Sequence, residues 1–328
     1  IRNWSGNGRT GTREVVSDLQ FRPDLIFIKA RTNGDTRYWV ASDSVRGKGS
    51  NGAYWRNFPA NTHVNANDGY DITAISDTGF TVNRAGDFCN QTSTDNGSFA
   101  WRAGGGSDSQ ANEFWKDGIK YASVSAAGMD AGSINATACS VGTEQGFSIV
   151  QYAGNSTDGA TIAHGLSKPP DFYMCKVFSG TTQGTAGAHW RVGHKFCATD
   201  GNGLTYDNSN GLYLSLDNAA SSNSHGHLFA GTPAAPNNNV MIHKQGNGGN
   251  NEHFHTNMTG HDYILYAWHD VPGLQKFGVY KGSGSTGSNN FIMDCGFEPA
   301  LIWIKDITAV SYTHLRAHET LRYRVCRL

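Results

Sequence analysis

Phe21-Arg22-Pro23-Asp24-Leu25-Ile26-Phe27-Ile28-Lys29 is the stretch on which the fold turns. Proline suits the entrance of a strand, where its missing N–H costs no ladder hydrogen bond. Leu25 to Ile28 is uninterruptedly apolar and too short for a helix, so it reads as a central strand buried on both faces. The figure returns as Lys168-Pro169-Pro170-Asp171-Phe172-Tyr173-Met174-Cys175-Lys176, and again as Phe297-Glu298-Pro299-Ala300-Leu301-Ile302-Trp303-Ile304-Lys305. An aromatic residue and a glycine precede each: Trp4-Ser5-Gly6, Tyr152-Ala153-Gly154 and Tyr280-Lys281-Gly282. Glycine to proline spans 17, 16 and 17 residues, and proline to lysine (Pro23 to Lys29, Pro170 to Lys176, Pro299 to Lys305) spans 6 each time. Fixed spacing of this kind marks an internally repeated architecture. The glycines are expected to turn the chain through positive φ, and the lysines to mark the return to solvent. Phe27, Ile28, Phe172, Ile302 and Trp303 should be among the most buried residues, with Phe27 matching Met174 or one of its neighbours.

Ser98-Phe99-Ala100-Trp101 closes the first unit and Asp262-Tyr263-Ile264-Leu265-Tyr266-Ala267-Trp268 the second. Short segments such as Trp39-Val40-Ala41, Gly79-Phe80-Thr81-Val82 and Leu212-Tyr213-Leu214 lie between, separated by Asn/Gly/Ser turns. No amphipathic helical pattern interrupts them. Many short strands at such spacing imply an all-β chain of tandem antiparallel sandwich or jelly-roll modules. The expected boundaries are 1–104 for the first module, 105–145 for a connecting segment with room for a further strand, 146–277 for the second module, and 278–309 for the start of a third.

Composition agrees. Of 328 residues 41 are glycine, only 16% are charged, and 38% hydrophobic with 11% aromatic content suffices for a core. Disordered chains are poor in aromatics and rich in charge. A net charge of −1 gives no electrostatic footprint for nucleic acid. No run approaches the ~20 apolar residues that span a bilayer. Cys89, Cys139, Cys175, Cys197 and Cys295 form no CxxC pair, so buried free thiols are expected rather than a disulfide framework or a zinc site. Val310 to Thr320 breaks this composition and resembles the translation of a transposase-type sequencing adapter. Residues 310–328 are therefore expected to be an assembly artefact. With Ile1 rather than Met in first place, the chain reads as a piece of a longer protein.

The aromatic-x-Gly-Asn-Gly opening, the Pro-Asp strand, Asp43-Ser44-Val45-Arg46-Gly47, Asp77-Thr78-Gly79-Phe80-Thr81-Val82 and the closing Ala-Trp together resemble an uncharacterised module of tailed-phage virion proteins, common in marine phages. The second unit departs from it, with His189-Trp190-Arg191-Val192 in place of the Asp-Ser-Val-Arg-Gly segment. The resemblance implies a concanavalin-like jelly roll and a non-enzymatic structural protein of the tail or tail fibre, for display or host-surface attachment. It also implies other virion proteins as partners, with a host cell-surface glycan and a second copy of the chain as further candidates, and a place in the virion after synthesis in the host cytoplasm. The alternative is a lectin-like or adhesin module of a secreted or surface bacterial protein.

Three sets of side chains could carry chemistry. Trp39, Trp55 and Trp190 lie outside the closing strands and could stack on a sugar ring, although Trp39 and Trp190 also suit a core. His225-Gly226-His227 and His253-Phe254-His255 put paired imidazoles on one strand face, as a divalent metal requires; the plainer alternative is a polar strand face. The glutamates Glu14, Glu113, Glu144, Glu252 and Glu298 show no two- or four-residue spacing, so the paired carboxylates of jelly-roll glycosidases are missing. No cofactor and no catalytic residue is expected.

Overall fold

The computed structural model describes residues 2–6, 12–16, 19–31, 39–50, 52–57, 72–83, 89–90, 92–106, 111–180, 189–196, 211–214, 227–229, 240–244, 255–281, 293–305 and 313–317. Its elements are strands. The first third contains β1 (Arg2–Ser5), β2 (Thr12–Val16), β3 (Leu25–Ala30), β4 (Val40–Asp43), β5 (Arg56–Asn57), β6 (Ile72–Ser76), β7 (Gly79–Asn83) and β8 (Asp95–Trp101). Then come β9 (Phe114–Lys116), β10 (Ile119–Tyr121), β11 (Ala136–Gly142), β12 (Phe147–Ala153), β13 (Thr161–Ala163) and β14 (Phe172–Gly180). The remainder contains β15 (Arg191–His194), β16 (Leu212–Tyr213), β17 (His227–Phe229), β18 (Val240–Lys244), β19 (His261–Trp268), β20 (Leu301–Lys305) and β21 (Thr313–Ala317).

Two large sheets run in the same order. The first is β1-β8-β3-β4-β5; the second contains β12-β19-β14-β15-β16 and continues through β11, β9 and β10. Their registers coincide residue by residue. Phe27 lies opposite Phe99 and Ala41, and Met174 opposite Tyr266 and Val192. Leu25 faces Trp101 as Phe172 faces Trp268, and Trp4 pairs with Asn96 as Tyr152 pairs with Tyr263. Two three-stranded sheets, β2-β7-β6 and β13-β18-β17, repeat the correspondence. The segment expected to connect the units supplies β9, β10 and β11. Its tight turn at Asp117 and Gly118, both at positive φ (51° and 81°), is the twist-matched hairpin that an Asp-Gly pair favours.

Three cores separate these sheets. Trp4, Ile26, Ile28 and Val40 pack with Ile72, Phe80 and Val82, between the five-stranded sheet and its small partner. Tyr152, Tyr173, Cys175, Val177 and Leu265 pack with Ile162, Ala163 and Met241 in the same way. Between them, Leu25 and Ala41 of one large sheet, with Val45 just past β4, meet Met174, Val192, Tyr266 and Trp268 of the other and Trp190 just before β15. Each large sheet is thus covered on both faces, the reason for the unbroken apolar runs. Each presents the same face to its counterpart, so that Trp101 meets its own equivalent, Trp268, edge-on at 6.5 Å.

Several sequence expectations are corrected. Lys176 does not return to solvent: it is fully buried on the face between the large sheets, and Lys29 is half-buried. Phe27, Phe172, Ile302 and Trp303 are only half-buried, whereas Ile28 is buried as expected. Neither Gly6 nor Gly154 has positive φ. At Gly154 the need is close approach, since a Cβ there would stand 2.3 Å from the Met258 carbonyl oxygen. Both glycines tie down the end of the opening strand. Gly6 N–H donates to Thr94 O at 2.8 Å and Gly154 N–H to His261 O at 2.9 Å. Gly282 lies outside the described residues. The third copy of the strand, β20, pairs with β21, which falls inside the 310–328 segment.

Candidate functional site

The aspartates that follow Pro23 and Pro170 close the two units by one scheme. Asp24 N–H donates to Trp101 O and Asp171 N–H to Trp268 O, both at 2.7 Å. In return Asp24 Oδ2 accepts from the N–H of Ala103 at 2.7 Å, and Asp171 Oδ2 from that of Asp270 at 2.6 Å. Sequence reasoning assigns them no role, although the Pro-Asp pair stands in both motifs. Asp24 adds a link across the sheets, accepting from Ser44 Oγ at 2.8 Å and from Ser140 Oγ of β11 at 3.0 Å. Burial raises its pKa against these hydrogen bonds.

A second polar group crosses the same junction. Tyr266 Oη donates to Asp43 Oδ2 at 2.7 Å, and Arg46 Nε pairs with the same oxygen at 2.5 Å. The Arg46 guanidinium lies 6.0 Å from the centre of the Phe178 ring. Burial, joined by the like charge of Arg46, pulls the nearby Lys176 ammonium down to about 7. Burial also lifts Cys139 and Cys175 to about 12, so both thiols are protonated and unreactive at neutral pH.

Along the junction runs a continuous row of aromatic rings. Phe99 contacts Trp39 at 5.7 Å, Trp39 contacts Phe27 at 6.5 Å, and Phe27 contacts Trp101 at 5.6 Å. Trp101 leads to Trp268, then Phe172 at 5.5 Å and Trp303 at 5.9 Å. Trp39, Phe27, Trp101, Phe172 and Trp303 all keep part of their surface in solvent. Such rings can stack on a sugar or cover an apolar partner.

The candidate tryptophans separate. Trp39 belongs to this row. Trp190, at the same register position in the second unit, is not available to a ligand: it is core, 1% exposed and stacked on Tyr266 at 5.8 Å. Trp55 is half-buried, its backbone N–H donating to Gly47 O at 3.2 Å. His225 and His253 lie outside the described residues, and His227 is in β17 opposite Lys244. His255 is buried among rings, 5.3 Å from Tyr213 and 6.1 Å from His189. Among the described residues no three His, Cys, Asp or Glu side chains stand together as metal ligands would.

With both units in view, the comparison that bears on them is a domain of unknown function, DUF7483, which matches residues 2–316. The chain belongs to the DUF7483 family. The DUF7483 match takes in both large sheets and ends within β21. No curated protein and no solved structure matches the chain.

Proposed function

We propose that this DUF7483 chain is a non-enzymatic structural protein of a phage tail or tail fibre, built of tandem jelly-roll modules of concanavalin-like form and used for display or attachment to a host surface. The observation that carries the attachment reading is the row of part-exposed rings from Trp39 to Trp303 along the junction of the two sheets. Flat rings in a rigid sheet bind sugar faces at little entropic cost, because their side chains are already fixed. Trp55 is a second candidate contact. Other virion proteins, a host glycan and further copies of the chain are the partners this reading calls for. The lectin or adhesin reading draws on the same rings and differs in where the protein resides.

Two measurements test the proposal. Antibody against the full chain should decorate the tails of intact virions from a lysate; labelling of bacterial surfaces in phage-free culture would instead select the adhesin reading. On a glycan array and on host cells the full chain should bind, and Trp39→Ala should lose at least about tenfold in affinity, roughly 1.4 kcal/mol, with the fold intact. Unchanged binding by Trp39→Ala would remove the aromatic row as a recognition surface, and unchanged binding by Trp55→Ala would remove the second candidate contact.

A further inference from the structure

The inner faces of the two units differ at one place in a way that packing does not explain. Val40 of β4 lies opposite Ile28; its counterpart in β15, Arg191, lies opposite Cys175. Val40 is buried in the apolar core of the first unit. Arg191 is equally buried, at 0% exposure, yet none of its three guanidinium nitrogens meets a hydrogen-bond acceptor among the described residues. Its charge has one partner there, the Tyr213 ring, whose centre is 5.0 Å from Cζ. Gly211 packs against the group: a Cβ there would stand 2.7 Å from Nη2, so the guanidinium would have to shift to admit one. His189 and His255 stand on the same Tyr213 ring, at 5.2 and 5.3 Å.

A buried charge without an acceptor is among the costliest arrangements a fold can hold, and a valine at the same place shows that the architecture does not require it. We propose that Arg191 is the anchor of an oxyanion-binding site inside the second unit, taking a carboxylate or a phosphate-type group. The planar fork of a guanidinium matches both classes through two parallel N–H···O bonds. The Tyr213 ring holds the guanidinium without taking a hydrogen bond from it, so its N–H groups remain for the ligand. The site stands apart from the aromatic row, since Arg191 and Trp190 point to opposite faces of the sheet, and it does not depend on the virion reading.

The test uses the full chain at constant ionic strength set with chloride. Formate, sulfate and inorganic phosphate are each brought to equilibrium by dialysis and titrated by calorimetry, the three arms separating planar from tetrahedral ions. Saturable binding of at least one, with one site per chain, is expected, together with a melting temperature that rises with its concentration as linkage demands. Arg191→Lys keeps the charge but not the fork, and it should weaken binding at least tenfold. Arg191→Met should abolish binding and melt no lower than the wild type in the chloride buffer without added formate, sulfate or phosphate. No saturable binding of any of the three ions by the wild-type chain overturns the proposal, and so does undiminished binding by Arg191→Lys.

Discussion

The two units share a strand order, a register and a closing aspartate, yet they treat their tryptophans and their interiors differently. Trp39 and Trp190 occupy one position, and only the second is sealed, by Tyr266. Val40 and Arg191 occupy another, one apolar and one charged. What repeats is what holds backbone to backbone: Gly6 and Gly154, Asp24 and Asp171, Trp101 and Trp268. What varies are the side chains that fill the space between sheets. A module can therefore be re-purposed from the inside without disturbing its ladders.

The two units are expected to differ most in stability at their tryptophans. Trp190→Ala should lose about 3–5 kcal/mol in denaturant unfolding through lost transfer energy and the cavity left. Trp39→Ala, half-exposed, should lose only about 1–2 kcal/mol for the smaller area it returns to water. Equal losses would mean that the register equivalence carries no difference in burial. Next come the aspartates. Asp24→Ala strands the N–H groups of Ala103 and Gly105 and two hydroxyls, and should cost about 2–3 kcal/mol. Asp171→Ala, at a half-exposed site, should cost about half as much.

The pH dependence sharpens the contrast between Lys29 and Lys176. With its folded pKa lowered to about 7 from 10.5, Lys176 binds a proton more readily in the unfolded chain between those values. Its contribution to stability therefore rises from pH 7 towards 10, by at most about 1.4 kcal/mol per pH unit, and is flat below 7. Burial raises the pKa of Tyr152 and Tyr266, so stability should fall again above pH 10, where the unfolded phenols ionise. Lys176→Met should erase the rise and Lys29→Met should leave it, as read by melting temperature against pH. The smallest effect is expected in the third copy. If residues 310–328 are adapter-derived, deleting them should leave melting of both large sheets unchanged within error, whereas a drop of several degrees would make β21 a true element of the fold.

The strands are legible in the sequence because their signals are local. A proline at the entrance and four apolar residues place β3 and β14 in the register that their pairing shows. What is not legible depends on which faces meet. Lys29 and Lys176 end equally spaced motifs, and only the packing of one large sheet on the other puts Lys176 in the dark beside Arg46. The same packing seals Trp190 and leaves Trp39 part-open. The Asp117-Gly118 hairpin carries its own turn chemistry, but a surrounding segment rich in Ser, Ala and Gly hides it. Arg191 is in plain view in His189-Trp190-Arg191-Val192, yet alternation alone does not say that both of a strand's faces are interior.

The edge-on meeting of Trp101 with Trp268, each the other's equivalent, gives the junction the form of a homodimer contact drawn within a single chain. Two separate modules would have to find each other at whatever concentration the cell supplied. Joined in one chain, they meet at an effective concentration fixed by the chain itself, and diluting the protein leaves their pairing untouched.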